Sequence, residues 1–69
     1  MGENIYAWRC NLRLSQKELA EKCGVSQQMI SFLEINQRTP SLKLAKCLAA
    51  VFGITVDELI SGRPKNADV

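Results

Sequence analysis

The sequence contains no histidine, which removes the side chain that most often serves as a general base in enzymes. Its three cysteines, Cys10, Cys23 and Cys47, lie far apart and form no CxxC pair, so no zinc ligand set is complete. We interpret them as reduced thiols packed in the fold. There is also no glycine-rich phosphate loop. The composition therefore predicts a protein that is not an enzyme, with no metal, no cofactor and no small-molecule ligand.

Long hydrophobic runs are absent as well. The longest, residues 47–52, has six residues, whereas a membrane-spanning helix needs about 20. The sequence opens Met-Gly-Glu-Asn, without the basic and apolar segments of a secretory signal, so we expect a cytoplasmic protein with no membrane partner. A chain of 69 residues with 46% hydrophobic residues predicts one small globular domain. The net charge of +2 favours anionic partners only weakly.

Proline and glycine are sparse and fall between segments of helical periodicity, and no segment alternates in the manner of a strand. The sequence therefore predicts an all-α fold with one domain over residues 1–62 and a flexible tail over 63–69. The predicted helices lie near 4–13, 16–23, 27–35, 41–52 and 56–61.

The helix starts are marked by hydroxyl residues. Ser15, Ser26 and Thr55 each follow an apolar residue and precede another by four positions, which is typical of an N-cap with a hydrophobic staple. Glu18 and Glu58 complete capping boxes with Ser15 and Thr55. The fourth helix is capped either by Thr39, with Pro40 at the first helical position, or by Ser41. Left-handed residues are expected at the helix ends, namely Gly24, Asn36, Gly53 and Gly62.

The second and third helices are joined by only Gly24, Val25 and Ser26. So short a link with a left-handed glycine predicts a steep crossing, a helix-turn-helix, with the small Ala20 at the close approach. The expected inward set is Leu19, Cys23, Val25, Ile30 and Leu33.

These features resemble the phage repressor and Cro type, or XRE family, of DNA-binding domains. The resemblance covers about residues 3–61, and its motifs are Leu14-Ser15-Gln16, Glu18-Leu19-Ala20, Gly24-Val25-Ser26, Ile30-Ser31, Leu33-Glu34, Arg38-Thr39-Pro40-Ser41-Leu42, Phe52-Gly53-Ile54 and Asp57-Glu58-Leu59. Asn36 and Arg13 stand where the family often has glycine. The resemblance implies a compact five-helix, lambda-repressor-like domain that binds double-stranded DNA, with the third helix in the major groove.

Helical geometry then indicates the base-reading side chains. With Ile30 and Leu33 inward, the opposite face carries Gln28, Ser31, Phe32 and Ile35, with Gln27 at its edge. A glutamine amide matches the N6 and N7 edge of adenine, and Phe32 can pack on a thymine methyl. The competing interpretation is a merely solvated face, which an outward Phe and Ile argue against.

Phosphate contacts are expected from Ser15 and Gln16 at the start of the second helix, and from Arg38, Lys43 and Arg9. Arg9 and Glu34 are also expected to form an ion pair at the edge of the core, which the resemblance supports. Such a pair would fix the angle of the recognition helix.

The fourth helix carries two apolar stripes. Leu42, Ala45, Leu48, Ala49 and Phe52 are expected to face inward. A second set, Leu44, Cys47, Val51, Val56 and Ile60, with Glu58 suggested by the family, predicts either a homodimer interface or a wider core. A dimer would require a palindromic operator.

The sequence thus predicts a sequence-specific, homodimeric transcriptional regulator. The alternative is a protein-interaction module that uses the same fold. A prophage repressor, a restriction-modification controller and an antitoxin would look alike at this length.

Overall fold

The computed structural model describes residues 2–61, which form five α-helices. These are α1 (Gly2–Asn11), α2 (Gln16–Cys23), α3 (Gln27–Glu34), α4 (Leu42–Phe52) and α5 (Val56–Ser61). Between residues 2 and 61 there is no strand, and the all-α fold predicted from the sequence is confirmed. The predicted tail over 63–69 and the end-cap glycine Gly62 lie outside the described residues.

Hydroxyl caps begin the helices as predicted. Ser15, Ser26 and Ser41 each accept a hydrogen bond from the backbone N–H three residues ahead, at 3.0–3.2 Å. The open choice at α4 is thereby settled in favour of Ser41. Both capping boxes are present, since the Glu18 and Glu58 carboxylates accept from the backbone N–H of Ser15 and Thr55. Each box satisfies two backbone donors that a helix start leaves unpaired.

Left-handed residues end the helices where the sequence predicts them. Gly24 has φ 68° after α2, Gly53 has φ 73° after α4, and Asn36 has φ 61° after α3. Asn36 replaces glycine without difficulty because asparagine tolerates this region better than other residues with a side chain. Arg13 also has a positive φ, 58°. This left-handed residue follows the last turn of α1, which ends at Asn11 rather than at residue 13.

α1 also begins two residues before its predicted start, at Gly2. The reason is a long-range contact, because the Gly2 N–H donates to the Asn36 side chain at 2.9 Å. Gly2 lies so close to the end of α3 that a Cβ atom there would stand 2.3 Å from the Leu33 carbonyl oxygen. Only glycine fits this approach without a backbone shift.

The core lies between all five helices. Its fully buried side chains are Ile5, Leu19, Ile30, Leu33, Leu48 and Leu59. Trp8 stacks on Phe52 at the side of this cluster, with ring centroids 6.3 Å apart. The inward stripe of α4 is confirmed except at Leu42, which is 66% exposed. That prediction was wrong because Leu42 is the first residue of α4, at the edge of the stripe and beyond the elements that cover its later turns. Among the described residues, no helix is both long and apolar enough to cross a bilayer.

Candidate nucleic-acid interface

The turn between α2 and α3 is held by backbone and side-chain contacts together. The Val25 N–H donates to the Ala20 carbonyl at 3.0 Å, which closes the turn behind the left-handed Gly24. The Val25 side chain packs against the core, as the hydrophobic staple with the buried Ile30 predicts. Ser26 then caps the next helix. Only three residues therefore separate the end of α2 from the start of α3, and the turn fixes the orientation of α3.

The two sides of α3 differ sharply in burial. Ile30 and Leu33 are 0% and 1% exposed, respectively, whereas Gln27 and Gln28 are exposed. No residue that the structure describes forms a hydrogen bond with either glutamine amide. Each amide can therefore donate and accept toward a ligand outside the chain.

Ser31 and Phe32 occupy an intermediate position on the same helix. Both are half-buried, so Phe32 is less exposed than the sequence argument assumed. Ile35, directly after the helix, is 59% exposed. The outer face of α3 thus combines two polar amides with a partly accessible aromatic edge.

A cation lies beside this face. Arg38 shares a shallow hollow of about 210 Å³ with Ser26, Gln28, Met29 and Phe32. Arg38 follows α3 in the connection to α4 and is exposed. It forms no ion pair with any residue between 2 and 61. Arg38 and Gln28 therefore line one concave surface, where an anion beside a base edge would lie near both residues.

The predicted ion pair between α1 and α3 is present. The Arg9 Nε donates to Glu34 Oε2 at 2.6 Å, and a second guanidinium nitrogen donates to Glu34 Oε1 at 3.3 Å. The side chains are only 13% and 5% exposed, respectively. Hydrogen bonding to Glu34 is the main cause that raises the pKa of Arg9, so this cation is permanently charged. A third guanidinium bond, to the Leu14 carbonyl at 2.8 Å, anchors the loop before α2.

Gln16 completes this network, which sequence reasoning missed. Its side-chain amide donates to Glu34 Oε1 at 2.9 Å. Gln16 was expected to donate to a phosphate, and one of its two amide protons is instead used inside the protein. Glu34 thus accepts from α1 and α2 together, and it holds the recognition helix to both. The only sequence signal was the placement of a long amide in the first turn of α2.

The other residues expected to contact phosphate are accessible. Ser15 is exposed, and its hydroxyl accepts a hydrogen bond from the Glu18 backbone N–H at 3.0 Å. Hydrogen bonding from Ser15 lowers the pKa of Glu18, so a carboxylate stands at the start of α2. Lys43 is exposed in the first turn of α4. Arg9, by contrast, is largely enclosed and has three donors committed to the network.

The six residues expected at a dimer interface differ in exposure. Leu44, Val51 and Val56 pack against the chain's own core, and Ile60 is 53% exposed. Cys47 is half-buried, and Glu58 caps α5. Three of the six residues therefore belong to a wider core, which was the alternative to a homodimer interface. Ile60 leaves an apolar side chain at the surface.

Two short capped helices, α2 and α3, joined by a three-residue turn with a left-handed glycine, place the chain in the class of helix-turn-helix proteins. The sequence model of the helix-turn-helix family matches residues 5–59. The chain belongs to this family, in its XRE branch, which confirms the resemblance drawn from the sequence motifs.

Similar proteins agree with this placement. The HTH-type transcriptional activator BcrR of Enterococcus faecalis is 37% identical over 61 residues, which cover 88% of this chain and 30% of BcrR. A crystal structure of the P22 c2 repressor in complex with a synthetic operator has a TM-score of 0.85 at 31% identity, covering 88% of this chain and 92% of that one. The biofilm regulator SinR in complex with DNA has a TM-score of 0.81 at 33% identity, covering 87% and 97%. The chain thus spans less than a third of BcrR but nearly all of the two DNA-bound chains.

Proposed function

We propose how this DNA-binding transcriptional regulator recognises its operator: α3 enters the major groove and presents Gln27, Gln28, Ser31 and Phe32 to the base edges. The observation that carries the proposal is that the Gln27 and Gln28 amides are exposed and unengaged on the face opposite the buried Ile30 and Leu33. An amide that both donates and accepts matches adenine in the major groove. Phe32, which is half-buried, packs against a thymine methyl in this arrangement.

Cationic and polar side chains around α3 are placed to contact the phosphates of the DNA backbone. Arg38 lines the hollow that Gln28 and Phe32 also line, so it would meet the phosphate next to the base that Gln28 reads. Lys43, Ser15 and the second amide proton of Gln16 supply further phosphate donors. Arg9 acts mainly through Glu34, by fixing the angle of α3. No catalytic group is needed for this role, and DNA as the partner implies a cytoplasmic location.

The base-reading assignment is tested by selecting bound duplexes from a random DNA pool and then measuring affinities for the selected operator. Replacing Gln28 by Ala is expected to cost about 1–3 kcal/mol and to remove the preference at one base pair. Unchanged discrimination among operators in Gln28→Ala would overturn the assignment.

The phosphate assignment has a different signature. Arg38→Gln is expected to weaken all duplexes alike and to reduce the slope of log K against log salt by about 0.9. Lys46→Gln is the matched control, because Lys46 is an exposed cation on α4 that does not line the hollow shared by Arg38 and Gln28. A slope that falls equally in both variants would contradict a specific contact at Arg38.

We further propose that two copies bind a palindromic operator through the surface around Ile60. Domains of this size gain only about 3–5 kcal/mol from a core alone, which favours pairing, and Ile60 leaves exposed apolar surface on α5. Selected sites should contain two half-sites about 34–36 Å apart. Ile60→Asp should yield a monomer by sedimentation, whereas Leu42→Asp, at a similarly exposed leucine, should not. A dimer in both variants would exclude this surface.

The second candidate function is a protein-interaction module. It is favoured by the exposed apolar side chains Ile35 and Leu42, on either side of the connection between α3 and α4. A gel shift on random duplexes at low salt separates the two. Absence of any shift at micromolar protein would favour the protein partner over DNA.

A further inference from the structure

Three sulfur-bearing residues line one cavity, to which Lys43 alone among the residues proposed to contact DNA contributes. The cavity has a volume of about 420 Å³ and lies where α2, the turn and α4 come together. It is lined by Cys23, Gly24, Val25, Met29, Ser41, Lys43, Leu44 and Cys47. The sulfur atoms come from three helices, because Cys23 ends α2, Met29 lies in α3 and Cys47 lies in the middle of α4.

The two cysteines interact directly across the packed helices. Burial and then hydrogen bonding to the Cys47 side chain raise the pKa of the Cys23 thiol to about 12. The Cys47 Sγ in turn donates to the carbonyl of Lys22, next to Cys23, at 3.9 Å. Both thiols are free and half-buried. Both therefore line the cavity as reduced thiols that are only partly exposed.

Met29, whose side chain carries a thioether, lines the same cavity. It is half-buried against the core, and its backbone N–H donates to the Ser26 cap at 3.1 Å. Its position is thus fixed by the start of α3. Met29 also lines the hollow that contains Gln28 and Arg38, so the sulfur cavity lies behind the surface proposed to contact DNA.

The two thiols and the thioether, taken as metal ligands, favour a particular class of ion. Thiolate and thioether sulfur atoms prefer soft cations such as Cu(I), whereas zinc sites take four nitrogen, sulfur or carboxylate ligands. The lining of this cavity has no carboxylate and no imidazole. Across residues 2–61, no three His, Cys, Asp or Glu side chains form a group able to hold a metal. Two thiolates with one monovalent cation carry a net charge of −1, which the Lys43 ammonium in the same lining complements.

We propose that this cavity binds one Cu(I) ion through the thiolates of Cys23 and Cys47 and the thioether of Met29. Each thiol releases its proton on binding, and the copper stays monovalent, so no electron is transferred. The sequence predicted no metal because its three cysteines lie far apart without a CxxC pair and it contains no histidine. This inference does not rest on the proposed function, since the ion is bound by the free protein.

The direct test is a titration of the fully reduced chain, without oxygen, against the coloured complex of Cu(I) with bicinchoninate. The expected result is transfer of one Cu(I) per chain, with a new ultraviolet absorption from thiolate-to-copper charge transfer. No transfer, or transfer without that absorption, would overturn the proposal. Zn(II) in equal amount should not displace the copper, and displacement would favour a borderline metal instead.

Substitutions of the proposed ligands test which side chains bind the ion. Cys23→Ser and Cys47→Ser should each lower the Cu(I) affinity by more than about 100-fold, and Met29→Leu, which nearly conserves volume, by about 10-fold. Cys10→Ser is the matched control, since Cys10 is an exposed thiol on α1 outside the cavity, and it should bind as the unaltered chain does. Equal loss in Cys10→Ser, or full affinity in Cys47→Ser, would refute the assignment.

A measurement on the unaltered chain covers the case in which a cysteine variant does not fold. Cu(I) should protect Cys23 and Cys47 from alkylation while Cys10 remains reactive, as peptide mass spectrometry would report. Equal protection of all three thiols would indicate adventitious binding only, and no protection would exclude the site.

Discussion

The Glu34 carboxylate accepts hydrogen bonds from two helices, and its replacement by glutamine isolates the contribution of its charge. Glu34→Gln keeps the shape of the side chain but turns one acceptor oxygen into an NH2 donor. That donor must face either the Arg9 guanidinium or the Gln16 amide, both of which also donate. The substitution therefore removes one charge-assisted hydrogen bond and places the new NH2 group next to another hydrogen-bond donor.

The magnitude follows from the geometry. A net hydrogen bond to a charged group contributes about 1.5–3 kcal/mol, and complete removal of one partner from a buried ion pair costs about 3–5 kcal/mol. We expect Glu34→Gln to lower the free energy of unfolding by about 2 kcal/mol, because one oxygen still accepts. The pair is only 13% and 5% exposed, so solvent screening reduces this value little.

Urea unfolding, followed through the single tryptophan Trp8 in the core, measures the effect. With a slope of about 1 kcal/mol per molar urea, the midpoint should fall by about 2 M. In a double-mutant cycle with Arg9→Met, the two losses should be non-additive by about 1–3 kcal/mol. A loss below about 0.5 kcal/mol, as for a surface pair, would refute the reasoning. So would strict additivity.

Three further predictions concern local features of the fold. Gly2→Ala should destabilise the protein by about 1–3 kcal/mol, because the added Cβ meets the Leu33 carbonyl oxygen; an unchanged thermal midpoint would show that the end of α1 does not need glycine. Ser41→Ala should cost about 1 kcal/mol through loss of the α4 cap, whereas Thr39→Ala should be neutral; equal urea midpoints would contradict the cap at Ser41. Since the pKa of Glu18 is lowered from 4.5 in the folded state, its contribution to stability is present above that value and lost as pH falls through the lowered pKa. The stability difference between the unaltered chain and Glu18→Gln should therefore be largest near neutral pH and vanish in acid, and a pH-independent difference would refute this sign.

The local signals in the sequence predicted the helices well because caps and turns depend on neighbouring residues. Ser15, Ser26 and Thr55 act on backbone groups within one turn, and Gly24 and Gly53 supply a backbone conformation that needs no partner. The apolar positions at helical spacing likewise identified most of the core. The ion pair of Arg9 with Glu34 was predicted with help from the family resemblance, since charge and spacing indicate a helix face but not its neighbour.

The amino-acid sequence by itself determined the helices, their order, most of their ends and the outward position of the two glutamines, since each of these follows from contacts within a few residues. Only the tertiary structure decided that Gln16 donates to Glu34, that Gly2 packs against the end of α3, and that three sulfur-bearing residues distant in sequence line one cavity. Those features arise where helices distant in sequence approach within hydrogen-bonding or van der Waals distance. The fold sets that approach through the packing of whole helices, and no local pattern encodes it.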